Sequence, residues 1–157
     1  MRNRVVRTQS GRYQLRLRAN ESQVLRELVS QLRDQLVAST DDPSVRRLFP
    51  PAYANDPERD AGYQVLTRDE LLAGRLEALQ TVEDMLDEDE VDHEQLTAWM
   101  QSLTALRLVL GTRLDIDEET HEVDPSHPHA PIFAVYDFLG WLLSQTVDAL
   151  SNDLPQP

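Results

Sequence analysis

The sequence contains no cysteine, no lysine and only five glycines. Without cysteine there is no disulfide, no thiolate metal site, no cysteine nucleophile and no thiol redox switch. Without lysine there is no Schiff-base chemistry. Neither a Gly-x-Ser-x-Gly turn nor a glycine-rich phosphate loop occurs, so no nucleophile and base set is recognisable and a non-enzymatic role is expected. Long apolar runs are also missing. The one extended candidate, from Pro131 to Val147, is interrupted by Asp137, Ser144 and Gln145 and is too short and polar to span a bilayer. The basic start Met1-Arg2-Asn3-Arg4 leads into Val5-Val6 and then Arg7-Thr8-Gln9, which is not the apolar core of a signal peptide. A cytoplasmic location with no membrane contact is the expectation.

What is present suits one globular domain. The 157 residues, 40% of them hydrophobic, can bury a sizeable core. Residues 1–8 and 151–157 are short, polar or proline-bearing and are expected to fray. All 15 basic residues are arginine, against 28 acids, for a net charge of -13. Their distribution is uneven. Six arginines and no acid fall in residues 1–20, leaving nine arginines against 28 acids, or -19, in residues 21–157. The molecule reads as a small basic tip on an acidic body.

The hydrophobic pattern has period two at the tip, where Tyr13, Leu15 and Leu17 alternate with Arg12, Gln14, Arg16 and Arg18. This predicts a strand with one buried face, paired with a weaker one over 3–8 through Ser10-Gly11 as a hairpin. Two strands alone are marginal, so the ribbon must pack on helices. From Glu21 the apolar spacing changes to three and four. Leu25, Leu28, Val29, Leu32 and Leu36 predict a first helix, capped at Asn20 or Ser22 and ending near Ser39-Thr40.

A long connection over 41–66 follows, with prolines at 43, 50, 51 and 57 and a short helical candidate at 44–49. Thr67-Arg68-Asp69-Glu70 then has the form of a capping box, which predicts that the second helix starts there. Its stripe is Leu72, Leu76, Leu79, Val82 and Leu86. Eight acids crowd residues 83–94. Acids oppose a helix C-terminus and favour an N-terminus by about 0.3–1 kcal/mol each, so the second helix should stop near Leu86 and the third should start near Asp92. Leu96, Trp99, Met100, Leu103, Leu106 and Leu110 form the third stripe. Pro131 opens a fourth helix that is apolar almost all round, either the central helix of the core or half of a two-fold homodimer interface over 131–150. The expected architecture is mainly α: a small bundle of about four main helices with an N-terminal β-hairpin on it.

Several constellations fail on inspection. Glu90-x-x-His93 and Glu118-x-x-His121 share the spacing of di-iron bundles, but both fall in acidic linkers outside the apolar stripes and read as solvated loops. Asp115-x-Asp117-x-Glu119 begins like a calcium loop, yet Thr120 stands where glycine is needed and Ser126 where a bidentate glutamate is needed. His127 and His129 lack a third ligand. No metal and no cofactor are expected. Arg12, Arg16 and Arg18 could meet phosphates, but they can pair with the molecule's own acids, and no helix is basic enough for a major groove. Direct DNA binding is therefore not expected. The string Arg46-Arg47-Leu48-Phe49-Pro50-Pro51-Ala52-Tyr53 is the most distinctive locally. Leu48, Phe49 and Tyr53 suit a core anchor, while Arg46, Arg47, Phe49 and Tyr53, with Arg12, Arg16 and Arg18, are the candidates for contact with a partner.

In order and spacing, Arg47 to Tyr53, Leu66-Thr67 with Leu71-Leu72 and Arg75, Leu106 to Leu114, and Tyr136-Asp137-Phe138-Leu139 with Leu142 resemble the actinobacterial oxidative-stress transcriptional regulator family, long catalogued as a domain of unknown function. The resemblance covers nearly the whole chain. It implies a cytoplasmic actinobacterial protein acting on transcription with a stress sigma factor or RNA polymerase. It implies as an alternative an adaptor linked to Clp proteolysis or cysteine and sulfur metabolism. The cysteine-based sensing associated with the family does not carry over, because this chain has no cysteine.

Overall fold

The computed structural model describes residues 3–50, 55–114, 126 and 128–152. Strands β1 (Val5–Arg7) and β2 (Tyr13–Leu15) pair antiparallel, Val5 opposite Leu15. Gly11 turns the ribbon with φ +82, a conformation other residues rarely adopt. Four α-helices follow: α1 (Ala19–Ala38), α2 (Pro57–Met85), α3 (His93–Arg113) and α4 (Ala130–Asn152), with a 3-10 helix at Pro43–Leu48 between the first two. The expected mainly helical bundle with an N-terminal hairpin is what the chain forms.

α3 is the central helix. It packs against α4, α2, α1 and the 3-10 helix, and Leu96, Trp99, Leu103, Leu106, Val109 and Leu110 are all buried. α1 lays the predicted Leu25, Val29, Leu32 and Leu36 stripe into the same core, and Arg26 with Asp87 and Arg33 with Glu83 pin its outer side to α2. α4 does not take the central place. It buries Leu139, Leu142 and Thr146 and leaves Ile132 and Val147 about two-fifths exposed, because its apolar surface exceeds what one neighbouring helix can cover.

Two helix starts differ from expectation. α2 begins ten residues before Thr67. Asp56 caps it, its carboxylate accepting from the Arg59 amide at 3.2 Å, with Pro57 in the first turn. Thr67 lies inside the helix and its hydroxyl donates to the Tyr63 carbonyl at 2.8 Å, the back-bond that a mid-helix threonine makes. Asp56→Ala should therefore cost about 0.5–2 kcal/mol in chemical denaturation, whereas Thr67→Ala should stay within about 0.5 kcal/mol. The reverse ranking would restore Thr67 as the cap. α1 is capped at Arg18 and not at Asn20 or Ser22, since Glu21 reaches back to accept from the Arg18 amide at 2.8 Å. The third start agrees with expectation: Asp92 and Gln95 cap each other, both bonds 2.8 Å.

From Arg4 onward the N-terminal segment is tied to the helices. Arg4 is buried, grips Glu21 with bonds of 3.0 and 3.2 Å, lies 5.5 Å from the Trp141 ring, and its amide donates to Gln145 Oε1 at 2.6 Å. Burial pushes the Glu21 carboxyl up, but hydrogen bonds from the Arg18 amide and the Arg4 guanidinium, with their charges, outweigh it and hold it below its ordinary 4.5. That contribution to stability is present above the ordinary value and is lost as pH falls through the lowered one. The link between α2 and α3 is not wholly solvated either. Val91 is buried and exchanges backbone hydrogen bonds of 2.9 and 2.8 Å with Tyr13, adding a one-residue third strand to the ribbon.

Candidate interaction site

The C-terminal end of α3 gathers arginines of the 3-10 helix and of α3 itself beside Tyr136 of α4. The 3-10 helix arrives there because Asp42 caps it, accepting from the Ser44 amide at 2.8 Å and the Ser44 hydroxyl at 2.6 Å. Those bonds, the hydroxyl's first, hold the Asp42 carboxyl below its ordinary value despite some burial, and Arg113 assists. Val45, Leu48 and Phe49 then turn into the core. Two arginines of α2 fasten the segment from outside. Arg68 stacks 4.6 Å over the Phe49 ring and donates to the Thr40 carbonyl at 2.7 Å, and Arg75 Nε donates to the Leu48 carbonyl at 3.1 Å. With Leu48 and Phe49 turned inward, Arg46 and Arg47 face solvent.

On α3, Gly111 is buried at the point where these parts meet. A Cβ there would lie 3.4 Å from the Tyr136 ring and 3.7 Å from Arg47 Nη1, so the bare backbone lets both cross the helix closely. Arg107 stacks 4.1 Å over the Tyr136 ring, and its Nε donates to the Tyr136 carbonyl at 3.4 Å. One turn along α4, a Cβ at Gly140 would lie 3.0 Å from that guanidinium, so any other residue there would make Arg107 shift by a few tenths of an ångström. Arg113 ends the helix, where the dipole favours a cation. Arg46, Arg47, Arg107 and Arg113 thus occupy one end of the bundle. None of the four is ion-paired with a carboxylate among the described residues. In a chain with nearly two acids per arginine, four guanidiniums gathered without an ion pair among the described residues, Asp42 acting on Arg113 only from a distance, are a local excess of positive charge.

The predicted partner-contact residues divide. Arg46 and Arg47 are in this cluster. Phe49 is about 5% exposed and serves as the anchor beneath it. Tyr53 lies outside the described residues. Arg12, Arg16 and Arg18 sit by the ribbon at the far end of α3, roughly 28 Å away along the helix axis at 1.5 Å per residue. Arg12 is engaged there by Glu90, its Nη2 donating to the Glu90 carbonyl at 3.2 Å with the carboxylate 3.6 Å from Nε. Arg16 folds onto Gln14 Oε1 at 3.2 and 3.3 Å, and Arg18 caps α1. Sequence reasoning missed Arg107, Arg113, Gly111 and Tyr136 as site residues. Their signal was their presence in the distinctive strings, which periodicity alone reads as helix faces. Among the described residues no group of three or more His, Asp or Glu is placed to hold a metal, and residues 118–121 lie outside them. No helix among the described residues is long and apolar enough to cross a membrane.

No solved structure matches the chain. A Mycobacterium leprae (strain TN) protein carrying the name "Putative oxidative stress regulator AosR" is 28% identical over 142 residues, 79% of this chain and 65% of that protein. The chain thus spans just under two thirds of that relative's length. Residues 1–150 match the family described as Domain of unknown function (DUF2017). The three strings that meet at the arginine cluster all fall within that match, and the chain belongs to the DUF2017 family.

Proposed function

We propose that this chain is a non-catalytic transcriptional co-regulator of a stress response, working in the cytoplasm by docking on a sigma factor or RNA polymerase through the Arg46, Arg47, Arg107 and Arg113 end. The observation that carries this reading is that, among the described residues, none of those four arginines forms an ion pair with a carboxylate, on a molecule otherwise rich in acids. Charge left unneutralised at one place favours a partner that brings acids of its own. The name printed for the mycobacterial relative supports a regulatory role. DNA is a poor candidate for direct contact, since the -19 carried by residues 21–157 repels phosphates. Any response to oxidant must come from elsewhere, because this chain supplies no thiol.

The purified chain should be retained by RNA polymerase holoenzyme or by a sigma factor, and should not shift promoter DNA by itself at moderate salt. Arg46→Glu with Arg47→Glu should abolish that retention while leaving the circular dichroism spectrum and melting temperature near wild type, since both side chains are exposed. Retention unaffected by the double reversal, or sequence-specific DNA binding by the chain alone, would overturn the reading. For the outward face of α4, with Ile132 and Val147 exposed, we propose a second copy of the chain as the cover. A mass of one chain in equilibrium sedimentation at high concentration would remove that part.

A further inference from the structure

A cleft of about 280 Å³ opens between α2 and α3, away from the arginine end. Small residues create it: Gly74 and Ala78 on α2 face Ser102 and Ala105 on α3, with Leu71 and Leu79 as apolar walls. Two polar groups in the wall are unaccounted for. Arg75 is half-buried, and burial pushes its pKa down. Its Nε is used by the Leu48 carbonyl, but among the described residues no carboxylate neutralises it. A cation withdrawn from water without a counter-charge is costly. Ser102 is about 2% exposed and its hydroxyl has no hydrogen-bond partner among the described residues. Thr97, Thr104 and Thr112 on the same helix each donate to the carbonyl four residues back, the ordinary solution for a hydroxyl in a helix. Ser102 does not, and it lines the cleft.

We infer that this cleft binds a small monocarboxylate with an apolar body. The carboxylate would accept from the free Nη end of Arg75 and from Ser102, and the body would lie against Leu71, Leu79 and Ala105. A guanidinium offers a carboxylate two parallel donors. One cation with Glu70 on the rim suits a single negative charge and disfavours a dianion such as phosphate. The volume is near the lower end of the range for small-ligand sites, which excludes bulky ligands. This inference does not depend on the docking role proposed above.

Straight-chain carboxylates from butyrate to octanoate, with primary amines of equal length as controls, test it by calorimetry on the full chain. The acids should bind, with affinity rising roughly fourfold per added methylene until the cleft is full, and the amines should not. Gly74→Leu is the decisive variant. A Cβ at Gly74 meets nothing within 4 Å, so leucine should fill the cleft without clash, raise helix propensity and abolish binding with no loss of melting temperature. Arg75→Met should also abolish binding, though it removes the Leu48 contact and so lowers stability too. No acid binding to the wild-type chain at millimolar concentration, equal binding of amines, or undiminished binding by Gly74→Leu would each overturn the inference.

Discussion

Trp99→Ala should destabilise the chain by about 3–5 kcal/mol, the range for removing a buried tryptophan. Trp99 is about 1% exposed at the middle of the central helix, and its indole Nε1 donates to Thr146 Oγ1 of α4 at 3.0 Å. Thr146 is itself fully buried and donates onward to the Leu142 carbonyl at 2.8 Å. The indole therefore fills space and supplies a fully buried polar link between α3 and α4. For a chain of this length the loss corresponds to a fall in melting temperature of roughly 6–20 °C. Trp99→Phe keeps most of the volume, and Thr146 keeps its bond to Leu142. Its cost should be nearer the 0.5–1.5 kcal/mol of a single net hydrogen bond. Equal effects of the two variants in chemical denaturation would mean that packing is irrelevant there and would contradict the burial seen.

Phe49→Ala should cost a similar amount, roughly 3–5 kcal/mol, for a different reason. The ring is the plug that holds the 3-10 segment down, with Val45 and Leu48 beside it in the core and Arg68 stacked 4.6 Å above it. Losing it opens a cavity and releases Arg68, whose stacking contributes about 0.5–1 kcal/mol at a partly exposed site. Because Arg46 and Arg47 are presented by the same segment, capture of RNA polymerase should weaken together with stability. Arg68→Ala, which removes the stacking together with the Thr40 and Gln64 hydrogen bonds and the exposed Asp41 pair, leaves no core cavity and should cost much less. A Phe49→Ala chain that melts like wild type but no longer captures its partner would instead make the ring itself part of the contact.

Periodicity was sufficient wherever a helix turns one stripe inward. The α1 stripe, the end of α2 near Leu86 and the Asp92 start of α3 all follow from apolar spacing and the sign of charge at helix ends. It failed where two local signals competed. Asp56-Pro57 and Thr67-x-x-Glu70 both have the form of helix starts, and nothing between them breaks a helix, so the upstream one prevails and Thr67 becomes an interior residue. Arg18 could not be recognised as a cap because the capping group belongs to Glu21. Of the two places open to the apolar fourth helix, the centre of the core goes to α3 instead. α4 is the more apolar, but α3 has neighbours on every side, and topology settles which helix lies innermost. The arginine end was half legible: Arg46 and Arg47 adjoin in sequence, whereas Arg107, Arg113 and Tyr136 come from elements whose approach depends on the bare backbone at Gly111 and Gly140.

The N-terminal ribbon bears on how the molecule can be assembled in time. Its strands are made before the helices they pack on, yet Tyr13 must wait for Val91, and the Arg4 amide hydrogen-bonds a side chain 141 positions later. Contacts at such separation form late and slow the search for the native state. Before its partners at Val91 and Gln145 exist, the ribbon has an open edge, with Arg4, Arg7, Arg12 and Arg16 in and beside its strands. Its charge is what keeps such an edge from pairing with another nascent chain. Arg4, Arg7, Arg12 and Arg16 would thus guard the ribbon's edge before its contacts to Val91 and Gln145 are made.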